Sequence, residues 1–191
     1  MKSIIRVLSI ILIFALFATP LASCNSNGDT NDNVSSDNEG NKDLPPLGNA
    51  VGKRCIPSDL ELISGEGAVN IKDHLGKVVV LNFWGTWCGP CKGELPHFDE
   101  VAEEYAEDVV IITVHSYSGL VDAPEYINQN FHNSKMIFAN DNETDKYYRA
   151  LNPGLGSWPV TIVIDADGVI TNKIVGAIEK DALIAEINKA K

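Results

Sequence analysis

Residues 80–96 read VLNFWGTWCGPCKGELP. The run that leads into the first cysteine, residues 78–84, is rich in β-branched and aromatic side chains, which is typical of a buried β-strand. From Cys88 to about residue 106, apolar side chains recur every three or four positions, which predicts a helix. Cys88 and Cys91 are therefore expected at a junction where a buried strand leads directly into a helix.

The pair Cys88 and Cys91 has the spacing and the surroundings of a redox centre. At the start of a helix, unpaired backbone N–H groups and the helix dipole stabilise a thiolate, here expected on Cys88. Pro90 suits the first helical turn, and Gly89 lets the chain bend tightly between the cysteines. Cys91 lies one turn later, close enough to form a disulfide. Cys88 would attack a substrate disulfide, and Cys91 would then resolve the mixed disulfide.

Other uses of a cysteine pair fit this chain less well. A zinc site needs two further ligands, whereas Cys55 is isolated and the four histidines show no metal-binding spacing. A purely structural disulfide is disfavoured, because so short a loop removes little entropy from the unfolded chain. We therefore expect no metal, and no cofactor other than a redox-active disulfide between Cys88 and Cys91. The remaining Cys55 is predicted to be a small buried apolar residue.

Beyond the motif, the chain predicts an α/β domain. Strands that alternate with helices and end in a hairpin give a central mixed β-sheet flanked by helices. Asp141 or Asn142 is expected to cap the helix predicted at residues 143–151. The predicted elements are a hairpin at 60–71, a strand at 109–115, a helix at 124–131, a strand at 136–139, a helix at 143–151, a hairpin at 160–175 and a helix at 181–189.

The segment 80–96 resembles the extracytoplasmic TlpA/ResA-like thioredoxins, and the resemblance extends over the folded domain. It implies a thioredoxin-like fold with an N-terminal β-hairpin and an inserted helix. Pro96 matches the proline that kinks the active-site helix, and Asn82 stands where cytoplasmic thioredoxins hold a buried aspartate. Glu94 matches an acidic residue near the cysteines, which would exchange protons with Cys91. Taken by itself, the position of Glu94 fits a solvated helix glutamate at least as well.

The resemblance also points to residues 156–162, which read GSWPVTI. Thioredoxins have a cis-proline before a late strand, packed against the cysteine pair, and Pro159 fits that place. Trp158 would then face the substrate, although it is bulkier than the residue that the family usually carries there. The alternative is a tryptophan of the core. The predicted substrate groove comprises Trp87, Gly89, Pro90, Trp158 and Pro159.

The first residues of the chain predict export. Lys2 and Arg6 form a short positively charged segment before an apolar run, residues 7–18, that is too short for a comfortable membrane span. The run is followed by Leu-Ala-Ser-Cys, which resembles a bacterial lipoprotein signal and implies cleavage before Cys24 and lipidation of its thiol. An ordinary secretory signal or an uncleaved anchor would place the domain on the same side of the membrane.

Three regions follow from these patterns: a signal peptide at 1–23, a lipidated Cys24 with a tether to residue 46, and a thioredoxin-like domain at 47–191. The tether is predicted to be flexible, because it is rich in Asn, Ser, Asp and Gly and can bury little apolar surface. The formal net charge of the chain is −11, which argues against nucleic acid as a partner.

The motif and the resemblance imply a thiol-disulfide oxidoreductase on the outer face of the cytoplasmic membrane or in the periplasm. We expect it to reduce disulfides of exported proteins, as in apocytochrome c maturation or reductive repair. Its electrons would come from a membrane thiol donor of the CcdA/DsbD type. A thiol oxidant that introduces disulfides and a non-catalytic, lipid-anchored binding module are the alternatives. A peroxidase is disfavoured, because the reactive cysteine of peroxiredoxins usually lacks a partner three residues later.

Overall fold

The computed structural model describes residues 44–63, 65–116, 122–141 and 144–191. The predicted signal peptide, Cys24 and the tether up to residue 43 lie outside the described residues, as do Asn142 and Glu143. The described residues form nine β-strands, one 3-10 helix and four α-helices. None of the helices among these residues is long and apolar enough to cross a membrane.

The elements alternate between strand and helix over most of the domain. In chain order they are β1 (Leu47–Gly48), β2 (Arg54–Cys55), β3 (Leu60–Leu62), β4 (Ala68–Val69), the 3-10 helix (Ile71–His74), β5 (Val78–Trp84), α1 (Gly89–Glu104), β6 (Val109–His115), α2 (Ala123–Phe131), β7 (Ile137–Asn140), α3 (Lys146–Leu151), β8 (Val160–Ile164), β9 (Ile170–Val175) and α4 (Lys180–Lys189).

Seven of the strands form one mixed sheet in the order β4-β3-β7-β6-β5-β8-β9. The strands β5, β6 and β7 run parallel, whereas β3 and β8 run antiparallel to their neighbours. All seven residues of β5 are buried, as expected for a parallel strand that is covered on both faces. The central mixed sheet predicted from the sequence is confirmed, and it places the end of β5 directly before the two cysteines.

The sheet has a buried core layer on each face. Because alternate residues of a strand point to opposite sides, Val80 and Trp84 of β5 pack in one layer, and Leu81 and Phe83 in the other. The first layer contains the apolar faces of α1, α2 and α4, and the second contains that of α3. Asn82 shares the alternation of Val80 and Trp84, so its side chain is directed into the layer that contains α1.

Both predicted hairpins form, from β3 with β4 and from β8 with β9. In the second hairpin, the Asp165 carboxylate accepts hydrogen bonds from the backbone N–H groups of Asp167 at 3.0 Å and Val169 at 2.8 Å. Gly168 completes this turn with φ of 82°, a conformation that glycine adopts without steric cost. Helix α1 ends at Glu104, slightly earlier than predicted.

Helix α3 departs from the prediction at its start. It begins at Lys146, and the residue before it is Asp145, with φ of 50°, rather than one of the two predicted caps. Asp141 nevertheless binds the first turn of the helix, because its carboxylate accepts hydrogen bonds from the N–H groups of Tyr147 at 2.9 Å and Tyr148 at 2.7 Å. The predicted cap was therefore wrong in position, although Asp141 still satisfies two otherwise unpaired helix donors.

Candidate active site

Cys88 and Cys91 lie at the junction between β5 and α1. Cys88 is the last residue before α1 and has an extended backbone, while Cys91 and Pro90 lie in the first helical turn. A disulfide joins the two cysteines, whose Cα atoms are 5.3 Å apart. The Cys88 sulfur also accepts a hydrogen bond from the backbone N–H of Cys91 at 3.2 Å. A donor at this position would stabilise the Cys88 thiolate when the disulfide is reduced.

The two cysteines differ in their access to solvent. Cys88 is 5% exposed and Cys91 is fully buried. Gly89 and Pro90, between them, are exposed. A disulfide of another molecule can therefore approach Cys88 more readily than Cys91, which suits attack by Cys88 and resolution by Cys91.

The loop between β5 and α1 packs tightly around Gly85. The carbonyl oxygen of Gly85 accepts a hydrogen bond from the N–H of Cys88 at 3.0 Å. The indole of Trp87 lies against the Cα of Gly85, so that a Cβ at this glycine would be only 2.6 Å from the indole Nε1. A side chain at Gly85 would therefore displace the indole.

His115, the last residue of β6, holds the same loop from the neighbouring strand. Its Nε2 accepts a hydrogen bond from the backbone N–H of Thr86 at 3.1 Å. The imidazole packs edge-on against Trp84, with ring centroids 4.7 Å apart. Burial lowers the pKa of His115 to about 4, against a weaker opposing effect of the Asp145 charge. The imidazole is therefore neutral at pH 7, as an acceptor nitrogen requires.

Glu94 is buried in α1, one turn after Cys91. It is 2% exposed, so the alternative of a solvated helix glutamate is wrong. One carboxylate oxygen accepts a hydrogen bond from Asn82 Nδ2 at 2.7 Å, and the other accepts one from the N–H of Ile178 at 3.0 Å. Asn82 Nδ2 also donates to the hydroxyl of Thr161 at 3.2 Å. The carboxyl group is thus fixed by contacts to β5 and to the segment before α4.

Burial raises the pKa of Glu94 to about 7. The hydrogen bonds from Ile178 and Asn82 favour the charged form, but the loss of hydration outweighs them. A carboxyl group with a pKa near neutrality can either hold or release a proton under physiological conditions. Asn82, which stands beside it, has no acidic proton and cannot take this role.

Trp158 and Pro159 form the second wall of the site. The peptide bond between them is cis, as the resemblance implies. Trp158 is partly exposed, and its ring lies edge-on to Trp87 with centroids 5.3 Å apart. Trp87 is itself 52% exposed. The two indoles therefore join the loop before Cys88 to the cis-proline loop in one aromatic surface.

The sequence and the fold are similar to those of known proteins. The model of the AhpC/TSA family matches residues 51–173, which is most of the described domain. The chain belongs to this family. Its relatives include the thiol-disulfide oxidoreductase ResA of Bacillus thuringiensis, which is 33% identical over 123 residues, or 63% of this chain and 68% of the relative.

Two solved structures are similar to this chain over nearly their whole length. A putative thiol:disulfide interchange protein DsbE from Chlorobium tepidum superposes with a TM-score of 0.63 and 27% identity, over 74% of this chain and 97% of the other. The exposed lipoprotein thioredoxin Etrx1 of Streptococcus pneumoniae superposes with a TM-score of 0.60 and 27% identity, over 70% and 99%. The chain is a TlpA/ResA-like thiol-disulfide oxidoreductase with a thioredoxin-like fold.

The sequence did not predict three residues that support the site through its neighbours: Gly85 under Trp87, His115 at Thr86, and Tyr148, whose ring stacks on Trp158. His115 could have been found, because the carboxyl ends of neighbouring parallel strands meet at one edge of a sheet. Gly85 and Tyr148 carry no local signal, since their contacts are made by side chains whose positions depend on the finished fold.

Cys55 lies in the core layer on the other face of the sheet from Cys88 and Cys91. It is 2% exposed and unpaired, and its sulfur is 3.9 Å from the hydroxyl of Tyr147. Burial raises the pKa of its thiol to about 11, which keeps it protonated at neutral pH. The prediction of a small buried residue is confirmed.

Proposed function

We propose that this chain reduces disulfide bonds of exported proteins through Cys88 and Cys91. The observation that carries the proposal is the asymmetry of the pair. The Cys88 sulfur sits at the start of α1, accepts the N–H of Cys91 and keeps some access to solvent, whereas Cys91 is fully buried. This arrangement suits a dithiol in which one sulfur attacks and the other resolves.

The reaction transfers two electrons and two protons from the dithiol to the substrate disulfide. The Cys88 thiolate attacks one substrate sulfur, so that a Cys88–substrate disulfide forms and the first substrate thiolate leaves and takes up a proton. The Cys91 thiolate then attacks the Cys88 sulfur, which restores the internal disulfide and releases the second substrate sulfur as a thiolate that also takes up a proton. A membrane thiol donor of the CcdA/DsbD type would return the pair to the dithiol by the same exchange in reverse.

Glu94 is proposed to take the proton that Cys91 must lose before the second step. It lies one turn after Cys91 on the same helix, it is buried, and its pKa is raised to about 7. A base of this strength accepts a proton at neutral pH and can return it in the next cycle. The pH dependence of thiol alkylation in the reduced protein tests this role, since Glu94→Gln should shift the profile and an unchanged profile would contradict it.

The direction of electron flow is tested by the reduction potential of the pair. The potential of the related CGPC centre of thioredoxin, about −270 mV, sets the expectation for a reductant. We expect equilibration of the chain with dithiothreitol and glutathione buffers to give a value more negative than roughly −220 mV. A value more positive than roughly −150 mV would contradict the reductase and favour a thiol oxidant.

The site of action is proposed to be the outer side of a bacterial membrane, with the domain attached through a lipid on Cys24. The lipoprotein-like sequence before Cys24 and the similarity to a protein described as an exposed lipoprotein support this part of the proposal. Proteins with exposed disulfides in the same compartment, such as apocytochrome c or damaged exported proteins, would be its substrates. A non-catalytic binding module would show no disulfide reduction with dithiothreitol and no effect of Cys88→Ser.

A further inference from the structure

Tyr148, a residue of helix α3, packs against one face of the Trp158 indole. The two rings are stacked, with centroids 4.5 Å apart and an angle of 13° between their planes. Tyr148 is 2% exposed and also contacts Phe83 of β5 edge-on, at 5.5 Å between centroids. One face of the Trp158 indole is therefore packed against a side chain that is itself locked in the core.

Tyr148 also fixes the backbone next to Trp158. Its hydroxyl donates a hydrogen bond to the carbonyl oxygen of Ser157 at 2.6 Å and accepts one from the N–H of Ser157 at 3.2 Å. A single side chain thus satisfies both polar backbone groups of the residue before Trp158. The segment that leads into the cis bond is consequently tied to α3 at three points, by two hydrogen bonds and by one ring stack.

Helix α3 is in turn fixed at its first turn. The Asp141 carboxylate, which is 5% exposed, binds the N–H groups of Tyr147 and Tyr148. Asp141 therefore contacts Tyr148, and Tyr148 contacts Trp158. Trp158 in turn contacts Trp87, the residue before Cys88. The wall beside the reactive cysteine is positioned by a helix that supplies no reacting group.

We propose that Tyr148 is a positioning residue for substrate recognition, which sets the Trp158 indole as a docking surface for polypeptides that carry a disulfide. This inference rests on the proposed function of the Cys88–Cys91 pair. Trp87 and Trp158 present apolar ring surface beside the disulfide, and aromatic rings at a binding surface contribute large contact area with little loss of conformational freedom. A polypeptide can lay apolar side chains on this surface, whereas a small disulfide needs only to reach Cys88.

The test compares Tyr148→Leu with Tyr147→Leu in the full-length chain. Tyr147 is a matched control, because it is the neighbouring buried tyrosine of α3 and also packs on Phe83, but its hydroxyl binds Ile56 and it lies in no stack with Trp158. Reduction of insulin and of bis(2-hydroxyethyl) disulfide, both with dithiothreitol, is measured for each variant. Thermal unfolding of both variants is followed in parallel.

We expect Tyr148→Leu to raise the KM for insulin about three- to tenfold with a much smaller change in kcat, as expected for the loss of an aromatic pair and its hydrogen bonds. The rate with the small disulfide should change less than about twofold. Tyr148→Phe keeps the ring stack and loses both hydrogen bonds to Ser157, so it should give an intermediate KM for insulin. This variant keeps the inference testable if Tyr148→Leu does not fold.

Equal changes with both substrates, or the same rise in KM for Tyr147→Leu, would overturn the inference, because they would indicate a purely structural role for Tyr148. If the unchanged chain reduces neither substrate, the proposed function fails and the inference fails with it. If the unchanged chain is active and only the difference between substrates is missing, the inference alone is wrong.

Discussion

Glu94 and His115 are buried side chains whose pKa values are shifted in opposite directions by the same cause. Burial disfavours a charge, so it raises the pKa of Glu94 to about 7 and lowers that of His115 to about 4. Between the unfolded values of 4.5 and 6.5, both groups are largely neutral in the folded chain and largely charged in the unfolded chain. Their contributions to the pH dependence of stability have opposite signs and nearly cancel.

Replacing Glu94 removes one of these two contributions. The contribution of Glu94 is complete below the unfolded pKa near 4.5 and is lost as the pH rises through the folded value of about 7. In Glu94→Gln only the contribution of His115 remains. The free energy of unfolding should therefore rise by on the order of 2 kcal/mol between pH 4.5 and 6.5. Urea titrations of the oxidised variant across this range measure the slope, and a curve as flat as that of the unchanged chain would contradict a buried neutral carboxyl group.

Replacing His115 should give the opposite slope. Its contribution is complete above the unfolded pKa near 6.5 and is lost as the pH falls towards 4. In His115→Gln, which still offers an acceptor to Thr86, stability should fall as the pH rises from 4.5 to 7. His115→Phe should have the same slope, but its free energy of unfolding should be lower by about 1–3 kcal/mol at all pH values, because the hydrogen bond from the Thr86 N–H to the imidazole is lost. Equal stability of the Gln and Phe variants would show that the bond to Thr86 contributes little.

At the scale of single elements, helix α3 depends on the carboxylate that binds its first turn. Asp141→Ala removes the acceptor for two buried helix N–H groups and should lower the free energy of unfolding by about 2 kcal/mol. Asp165→Ala is the matched control, because Asp165 also binds two backbone N–H groups but lies in a more exposed turn. Chemical denaturation compares the two variants, and a loss for Asp165→Ala as large as that for Asp141→Ala would contradict the importance of burial.

The elements differ in how far the sequence predicts them. The strand β5 and the helix α1 are predictable because their signals are local: a continuous apolar run, a helix period and two cysteines at the start of a helix. The hairpin at Asp165 is predictable for the same reason. The start of α3 is not predictable from local signals. The residue before the helix is Asp145, but the carboxylate that binds the first turn belongs to Asp141, four residues earlier.

The residues of the candidate site also differ in how far the sequence predicts them. Cys88 and Cys91 follow from their spacing and from their place between a buried strand and a helix, and the cis bond before Pro159 follows from a family resemblance. Glu94 is placed correctly by position, but its burial depends on Asn82 and on the segment at Ile178, which are distant in the chain. Tyr148 meets Trp158 only after α3 has packed on the sheet, so no pattern near either residue predicts the contact.

At the scale of the whole molecule, the proposed lipid on Cys24 decides where the redox centre works. Cys24→Ala should move the chain from the membrane fraction to the soluble fraction of a bacterial host and abolish incorporation of labelled fatty acid. Cys55→Ala is the control, since this cysteine is buried in the domain and cannot carry a lipid. Membrane attachment that survives Cys24→Ala would point to an uncleaved anchor instead.

Trapping of the intermediate tests the central claim of disulfide exchange through Cys88 most directly. The Cys91→Ser chain, which cannot resolve a mixed disulfide, is incubated in its reduced form with insulin and mapped by mass spectrometry without reductant. The account predicts an insulin chain bound covalently to Cys88, released by dithiothreitol and missing when Cys88→Ser is also introduced. An adduct on Cys55, or one that persists after Cys88→Ser, would contradict the account.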